Sequence, residues 1–293
     1  MFLREENKLN KNNKDNLVEI TEISDKQKLL IVLLKNFHEI CEKNNLVYNI
    51  FCGTMLGAVR NKGIIPWDDD IDVTMPREDY NKFLSIVKEQ YSGEYNLHEP
   101  SNKNYIYPYA KFGMKKTYAY ETIVKPRYNK LSLNMDIFPN DGYPDNEELL
   151  TDYNKIESKI ILSTYKQKIP KNPLKACKFF IRYLLTKRYS VKHYVNQQIK
   201  MITQKKIQDS EYIICQGAGL GVKGKLKKSD YYDRCLYDFN NIKVWGIRNY
   251  DGQLKNLYGD YMTPPPIDKQ VPPHGSKLFV DKSIYDKYLK ETK

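Results

Sequence analysis

The sequence predicts an α+β fold: a mixed β-sheet flanked by helices, with a basic helical insertion and a C-terminal α/β extension. Three observations carry this reading. Short apolar runs at 47–51, 70–75 and 131–138 have the length and alternation of strands. Longer stretches between them repeat apolar residues at helical spacing. A Lys/Arg-dense block then intervenes, with fourteen basic residues and a single acid, Glu157, over 155–206.

The elements follow in chain order. Residues 1–23 are polar and read as a flexible leader. Ser24 with Gln27 three residues on has the form of a capping box. It opens a helix whose apolar face is Leu29, Leu30, Val32, Leu33, Leu34, Phe37, Ile40 and Cys41. A short buried strand at 47–51 leads to a turn at Cys52-Gly53-Thr54 and a short helix over 55–60. Pro66 breaks the loop at 63–67. A second strand at 70–75 precedes a helix over 77–91 with Tyr80, Phe83, Leu84 and Val87 on one face. Residues 105–114 and 117–123 read as a hairpin turning at Lys115-Lys116, and 131–138 as another strand. Two or three helices fit 147–206, interrupted by Pro170 and Pro173, and another helix fits 252–258. The domain reading is a leader at 1–23, a catalytic core at 24–145 and a basic helical region at 146–210. Residues 211–293 would complete the same catalytic unit.

Composition narrows the classes. At 41% hydrophobic the chain is too apolar for disorder. No run of about 18 apolar residues offers a membrane span, and the N-terminus lacks the apolar centre of a signal peptide. The expectation is a cytoplasmic protein. The five cysteines are widely spaced without a C-x-x-C, which supports neither a disulfide framework nor a Cys-rich zinc site. A net charge of +12, concentrated in the basic block, calls for an anionic partner: nucleic acid, an anionic membrane surface or an anionic polymer.

The chemistry concentrates in Trp67-Asp68-Asp69-Asp70-Ile71-Asp72-Val73. Four like charges this close repel unless a cation neutralises them. On a strand, Asp70 and Asp72 share a face about 6–7 Å apart. That spacing suits Mg²⁺ or Mn²⁺ held before a phosphate. Asp68 and Asp69 then read as groups that anchor the loop or support the ligands from behind. Gly53-Thr54 before a helix offers a phosphate close backbone approach and free N–H groups. Asp136, flanked by Met135 and Ile137, is costly to bury unless paired or metal-bound. The order strand, Gly-Thr, helix, Asp-x-Asp strand, strand with Asp resembles the nucleotidyltransferase (polymerase-beta-like) active site.

The blocks Phe51-Cys52-Gly53-Thr54-Met55-Leu56-Gly57-Ala58-Val59-Arg60 and Gly63-Ile64-Ile65-Pro66-Trp67-Asp68-Asp69-Asp70-Ile71-Asp72-Val73-Thr74-Met75-Pro76-Arg77 closely resemble the LicD phosphotransferase family. So do Met135-Asp136-Ile137-Phe138-Pro139 and Leu257-Tyr258-Gly259-Asp260-Tyr261-Met262-Thr263-Pro264-Pro265. That family is related to nucleotidyltransferases and includes the fukutin-related enzymes. The resemblance implies transfer of phosphocholine, or a related phospho-alcohol, from a CDP-activated donor such as CDP-choline. The acceptor would be a sugar hydroxyl of a surface glycan or teichoic acid, free or lipid-linked, and CMP would leave. It implies metal ligation by Asp70 and Asp72, with Asp136 as third carboxylate and base. Gly53 and Thr54 would hold phosphate. Arg60, Lys62 and Lys111 are candidates to stabilise the transferred charge. Trp67 and Tyr105, Tyr107, Tyr109, Tyr118 and Tyr120 are candidates to line a cytosine or choline pocket. His274 is a candidate contact to acceptor or phosphate. The basic helices would touch an anionic membrane, and nucleic acid is the less favoured partner. Two other readings compete: a nucleotidyltransferase using an NTP on RNA or a small molecule, and a non-catalytic protein binding glycan or membrane.

Overall fold

The computed structural model describes residues 16–290. Most of the leader expected over 1–23 lies outside these residues. Its described end is not a leader: Leu17–Ile20 forms strand β1. Helix α1 (Ile23–Lys43) buries the expected Leu29, Leu30, Leu33, Leu34, Phe37, Ile40 and Cys41. Its expected capping box does not form. The helix starts at Ile23 after Glu22, with no side-chain cap. Gln27 is instead half-buried against the acidic loop, and its amide donates to the carbonyls of Ile65, Pro66 and Asp68.

The central sheet is mixed. Its path includes β2 (Asn49–Ile50), β3 (Asp72–Pro76) and β8 (Asn134–Gly142). β9 (Tyr212–Ile214) and β10 (Lys225–Lys227) extend it beyond β8. β4 (Tyr95–His98) pairs with β5 (Ala110–Met114), and β5 pairs antiparallel with β8. β3 and β8 run parallel, with Asp72 opposite Asp136. Helix α2 (Cys52–Asn61) follows β2, and α3 (Arg77–Gln90) follows β3. Tyr80, Phe83, Leu84 and Val87 are buried on α3, as its periodicity predicts. Phe37 of α1, Phe83 of α3 and Phe112 of β5 pack ring to ring in one core.

The expected hairpin at 105–123 is corrected. β6 (Thr117–Glu121) leaves the central sheet and joins a second sheet in the order β1-β13-β6-β7. There β7 is Lys130–Leu131 and β13 is Ser276–Asp281. The edge of β5 that a hairpin would use is taken by β8, and Lys116 turns the chain away with φ 60°. Tyr118 and Tyr120 therefore lie on the second sheet, apart from the Tyr105–Tyr107–Tyr109 ring stack.

The basic region is three helices: α4 (Glu148–Thr164), α5 (Pro173–Thr186) and α6 (Val191–Ile202). Short α7 (Lys228–Tyr232) then leads to the β11–β12 hairpin (Arg234–Phe239, Ile242–Ile247). Asn240 at its tip accepts from the Ile64 N–H and donates its own N–H to the Lys62 carbonyl, which pins the loop before the acids. Helices α8 (Tyr250–Tyr258) and α9 (Lys282–Tyr288) complete the chain.

Candidate active site

Register builds the site. Residues directly opposite on neighbouring strands point to the same face. Lys111 of β5 stands opposite Asp136 of β8, which stands opposite Asp72 of β3. The three side chains therefore form one row across three strands. Lys111 Nζ lies 2.6 and 2.9 Å from the two Asp136 oxygens. This lysine is buried, and its ammonium sits 4.8 and 5.6 Å from the ring centres of Tyr107 and Tyr109. The Asp136 charge holds the Lys111 pKa above its ordinary value despite burial, which alone would lower it. Tyr107 donates to Glu121 at 2.6 Å, and that second carboxylate also bears on the lysine.

At the other end of the row, β3 starts at Asp72, so Asp70 lies in the loop before the strand and not within it. The two acids still converge. Burial pushes Asp72 well above the usual carboxylate range, and the charges of Asp70, Asp136 and Asp68 add to the rise. Asp68 belongs to the same cluster, and its carboxyl also accepts the Asp69 N–H at 3.1 Å. Burial, and the neighbouring Asp70 to which it is hydrogen-bonded, push its carboxyl upward. Asp69 anchors the loop. Its carboxylate takes Lys26 Nζ at 2.7 Å and His274 Nδ1 at 3.2 Å, and these partners hold its pKa down. His274 Nδ1 also lies 3.3 Å from an Asp70 oxygen, so the C-terminal loop reaches the cluster.

Helix α2 starts at Cys52, three residues earlier than the sequence implies, so Gly53 and Thr54 lie in its first turn. The Thr54 hydroxyl accepts from the Asp72 N–H at 2.9 Å and ties this turn to the acidic strand. A Cβ on Gly53 would stand 2.7 Å from Asp68 Oδ2, so only glycine lets helix and acid approach this closely. Cys52 bonds the Tyr258 side chain, and burial with the Asp72 charge pushes its thiol well up. Arg60 and Trp67 pair with each other, the guanidinium 5.6 Å from the indole centre. Arg60 also donates to the Tyr261 carbonyl at 3.0 Å. Together these contacts bracket α2 to the segment after α8. Lys62 is exposed at the end of α2.

The donor set fits a hard divalent cation. The oxygens of Asp68, Asp70, Asp72 and Asp136 are crowded, and the Cys52 thiol is held protonated. Among the described residues no three such groups close around one point as a cage. Mg²⁺ does not need one, because it keeps several waters and takes one or two carboxylates beside substrate phosphates.

Sequence reasoning placed Asp70, Asp72, Asp136, Gly53, Thr54 and Lys111 together, and the fold brings them together. It missed Lys26, Gln27 and Tyr258. Each acts through a contact far away in the chain, and no local pattern announces it.

The family model "LicD/FKTN/FKRP, nucleotidyltransferase domain" matches residues 45–181, the stretch that holds the row and the Gly-Thr turn. The lipopolysaccharide cholinephosphotransferase LicD of Haemophilus influenzae is 28% identical over 274 residues, covering 88% of this chain and 98% of that protein. Residues 45–181 thus match the LicD family's domain, and the likeness to a LicD protein runs over most of the chain. Two uncharacterized Rickettsia proteins match shorter stretches. That of Rickettsia typhi is 48% identical over 68 residues, 23% of this chain and 22% of its own. That of Rickettsia prowazekii is 45% identical over 76 residues, 26% of this chain and 29% of its own. Within the matched stretch, the mixed sheet puts Asp72 and Asp136 on adjoining strands.

Proposed function

We propose that this protein is a divalent-metal-dependent phosphotransferase. It would move phosphocholine, or a related phospho-alcohol, from a CDP-activated donor to a sugar hydroxyl of a surface glycan, and release CMP. The observation that carries the reading is the Lys111–Asp136–Asp72 row, with Asp70 crowding its acidic end. The full-length likeness to a lipopolysaccharide cholinephosphotransferase supports the substrate class. In this reading the acceptor is a lipid-linked glycan or teichoic acid precursor at the inner face of the membrane.

Asp70 and Asp72 would hold the cation, and Asp136 would join them by sharing an oxygen now bonded to Lys111. Bound there, Mg²⁺ or Mn²⁺ supplies Lewis-acid neutralisation of the donor phosphates. The chain's own groups do the rest. Asp136 takes the proton of the acceptor hydroxyl as its oxygen bonds to the phosphorus that carries the alcohol. The bond from that phosphorus to the oxygen of CMP breaks, and CMP departs with the electron pair. Lys111 keeps Asp136 oriented and offers positive charge to the transferred group. The first turn of α2 offers backbone N–H groups near Gly53 and Thr54 to the phosphates. The experiment is incubation of the purified protein with CDP-choline, CDP-glycerol, CDP-ribitol or each NTP, with Mg²⁺ or Mn²⁺ and a sugar acceptor. Release of CMP with labelled glycan supports the reading, and pyrophosphate from an NTP replaces it with nucleotidyl transfer.

A further inference from the structure

Helix α5 is built in three stripes. Asn172 caps it by accepting from the Lys175 N–H, and Pro173 occupies its first turn. At about 100° per residue, Ala176, Phe179, Tyr183 and Thr186 fall on one side, and these are its half-buried or buried residues. Thr186 anchors that side, with its carbonyl accepting from the Tyr194 hydroxyl of α6 at 3.1 Å. Lys175, Lys178 and Arg182 form a second stripe and are exposed. Leu174, Cys177, Phe180, Ile181, Leu184 and Leu185 form the third, an arc of about 140°. Leu174, Leu184 and Leu185 are 77%, 68% and 66% exposed. Ile169 before the helix and Tyr189 after it are exposed as well.

An apolar stripe this wide in water marks an unfilled interface. Charge identifies the occupant. No Asp or Glu occurs between Glu157 and Asp209, and two more basic residues, Lys187 and Arg188, follow the helix. A second copy docking face to face would bring like charges together. A surface of anionic headgroups over hydrocarbon meets both stripes at once: lysine and arginine pair with phosphates while the leucines enter the acyl boundary.

We propose that α5 is an interfacial helix that docks the protein on an anionic phospholipid surface, with Leu174, Phe180, Ile181, Leu184 and Leu185 inserted and Lys175, Lys178 and Arg182 on headgroups. This goes further than the charge of the basic block, because it assigns insertion to one apolar arc. It stands on the helix surface and does not depend on which reaction the acids perform.

The test is co-sedimentation of the full-length protein with vesicles of phosphatidylcholine alone or mixed with phosphatidylglycerol. The wild type is expected on the mixed vesicles, at least about ten-fold above the neutral ones. Leu184→Glu/Leu185→Glu, at two exposed positions, should lose that binding even at low salt. Lys178→Glu/Arg182→Glu should lose it with a reduced salt dependence. Cys177 is the one exposed cysteine of the five and lies on the arc, so an environment-sensitive label there should shift to the blue on mixed vesicles. Binding that survives Leu184→Glu/Leu185→Glu, or that is equal on both vesicles, overturns the proposal. So does a wild-type dimer that the same double variant turns into a monomer, which makes the arc a self-interface. Transfer to a soluble acceptor should be unchanged in both variants. If it fails in the wild type while docking holds, the enzymatic reading falls and this one stands.

Discussion

Asp72 and Asp136 stand directly opposite one another on parallel strands, and Lys111 continues the same row on the far side of Asp136. One end of the row is neutralised and the other is not. Asp72→Asn should therefore act in two directions. It should cut phospho-alcohol transfer by about 10³-fold. In divalent-free buffer it should raise stability toward urea by about 1 kcal/mol, because one crowded charge is gone. Wild-type melting temperature should rise with Mn²⁺ or Mg²⁺, and that of Asp72→Asn should respond less. Equal activity in variant and wild type would remove Asp72 from the site.

Lys111→Met leaves the half-buried Asp136 carboxylate without its buried partner. Breaking such a pair costs about 3–5 kcal/mol, so urea unfolding should show a loss of that order. The double variant Lys111→Met/Asp136→Leu should recover much of the stability and none of the transfer activity. A double-mutant cycle without coupling would show that the pair is incidental.

Gly53→Ala forces a methyl to within 2.7 Å of Asp68 Oδ2. The carboxylate can turn aside, so the fold should survive with a small change in melting temperature. The displaced Asp68 then disturbs Asp70, and kcat should fall by up to about 10²-fold. A variant with wild-type kcat would show that Asp68 can move freely.

His98 of β4, opposite Lys111, provides a pH handle beside the row. Its Nε2 accepts from the Ser132 N–H at 3.0 Å, and burial pushes its pKa down to about 4. The unfolded chain takes up this proton below about 6.5 and the folded chain only below about 4. The contribution is thus fully present above about 6.5 and is lost as pH falls toward 4, at most about 1.4 kcal/mol per pH unit. Urea midpoints measured across that window should show the slope, and His98→Gln should flatten it.

The helices α1 and α3 were legible because their buried faces repeat at helical spacing, a local signal. The acids at 70, 72 and 136 were legible because carboxylates between apolar residues are costly without a partner. What escaped was long-range. The turn at Lys116 looks the same whether the next strand folds back or departs, and the choice lies with β8 and β13. Ser24 and Gln27 have capping spacing, yet Gln27 makes three bonds to the acidic loop, which no local pattern encodes. Lys26 is one lysine among many until Asp69 is seen beside it.

The second sheet has a temporal consequence. β13 lies between β1 and β6, so the strand made last joins strands made first and midway. The loop just before it carries His274 to Asp69 and Asp70. While the protein is being synthesised, β1 has no β13 to pair with, and Asp69 has Lys26 but not yet His274 beside it. The ribosome must therefore release the chain past residue 281 before the acidic loop can lock, and a nascent fragment ending before residue 274 would carry every proposed catalytic acid in a half-braced loop.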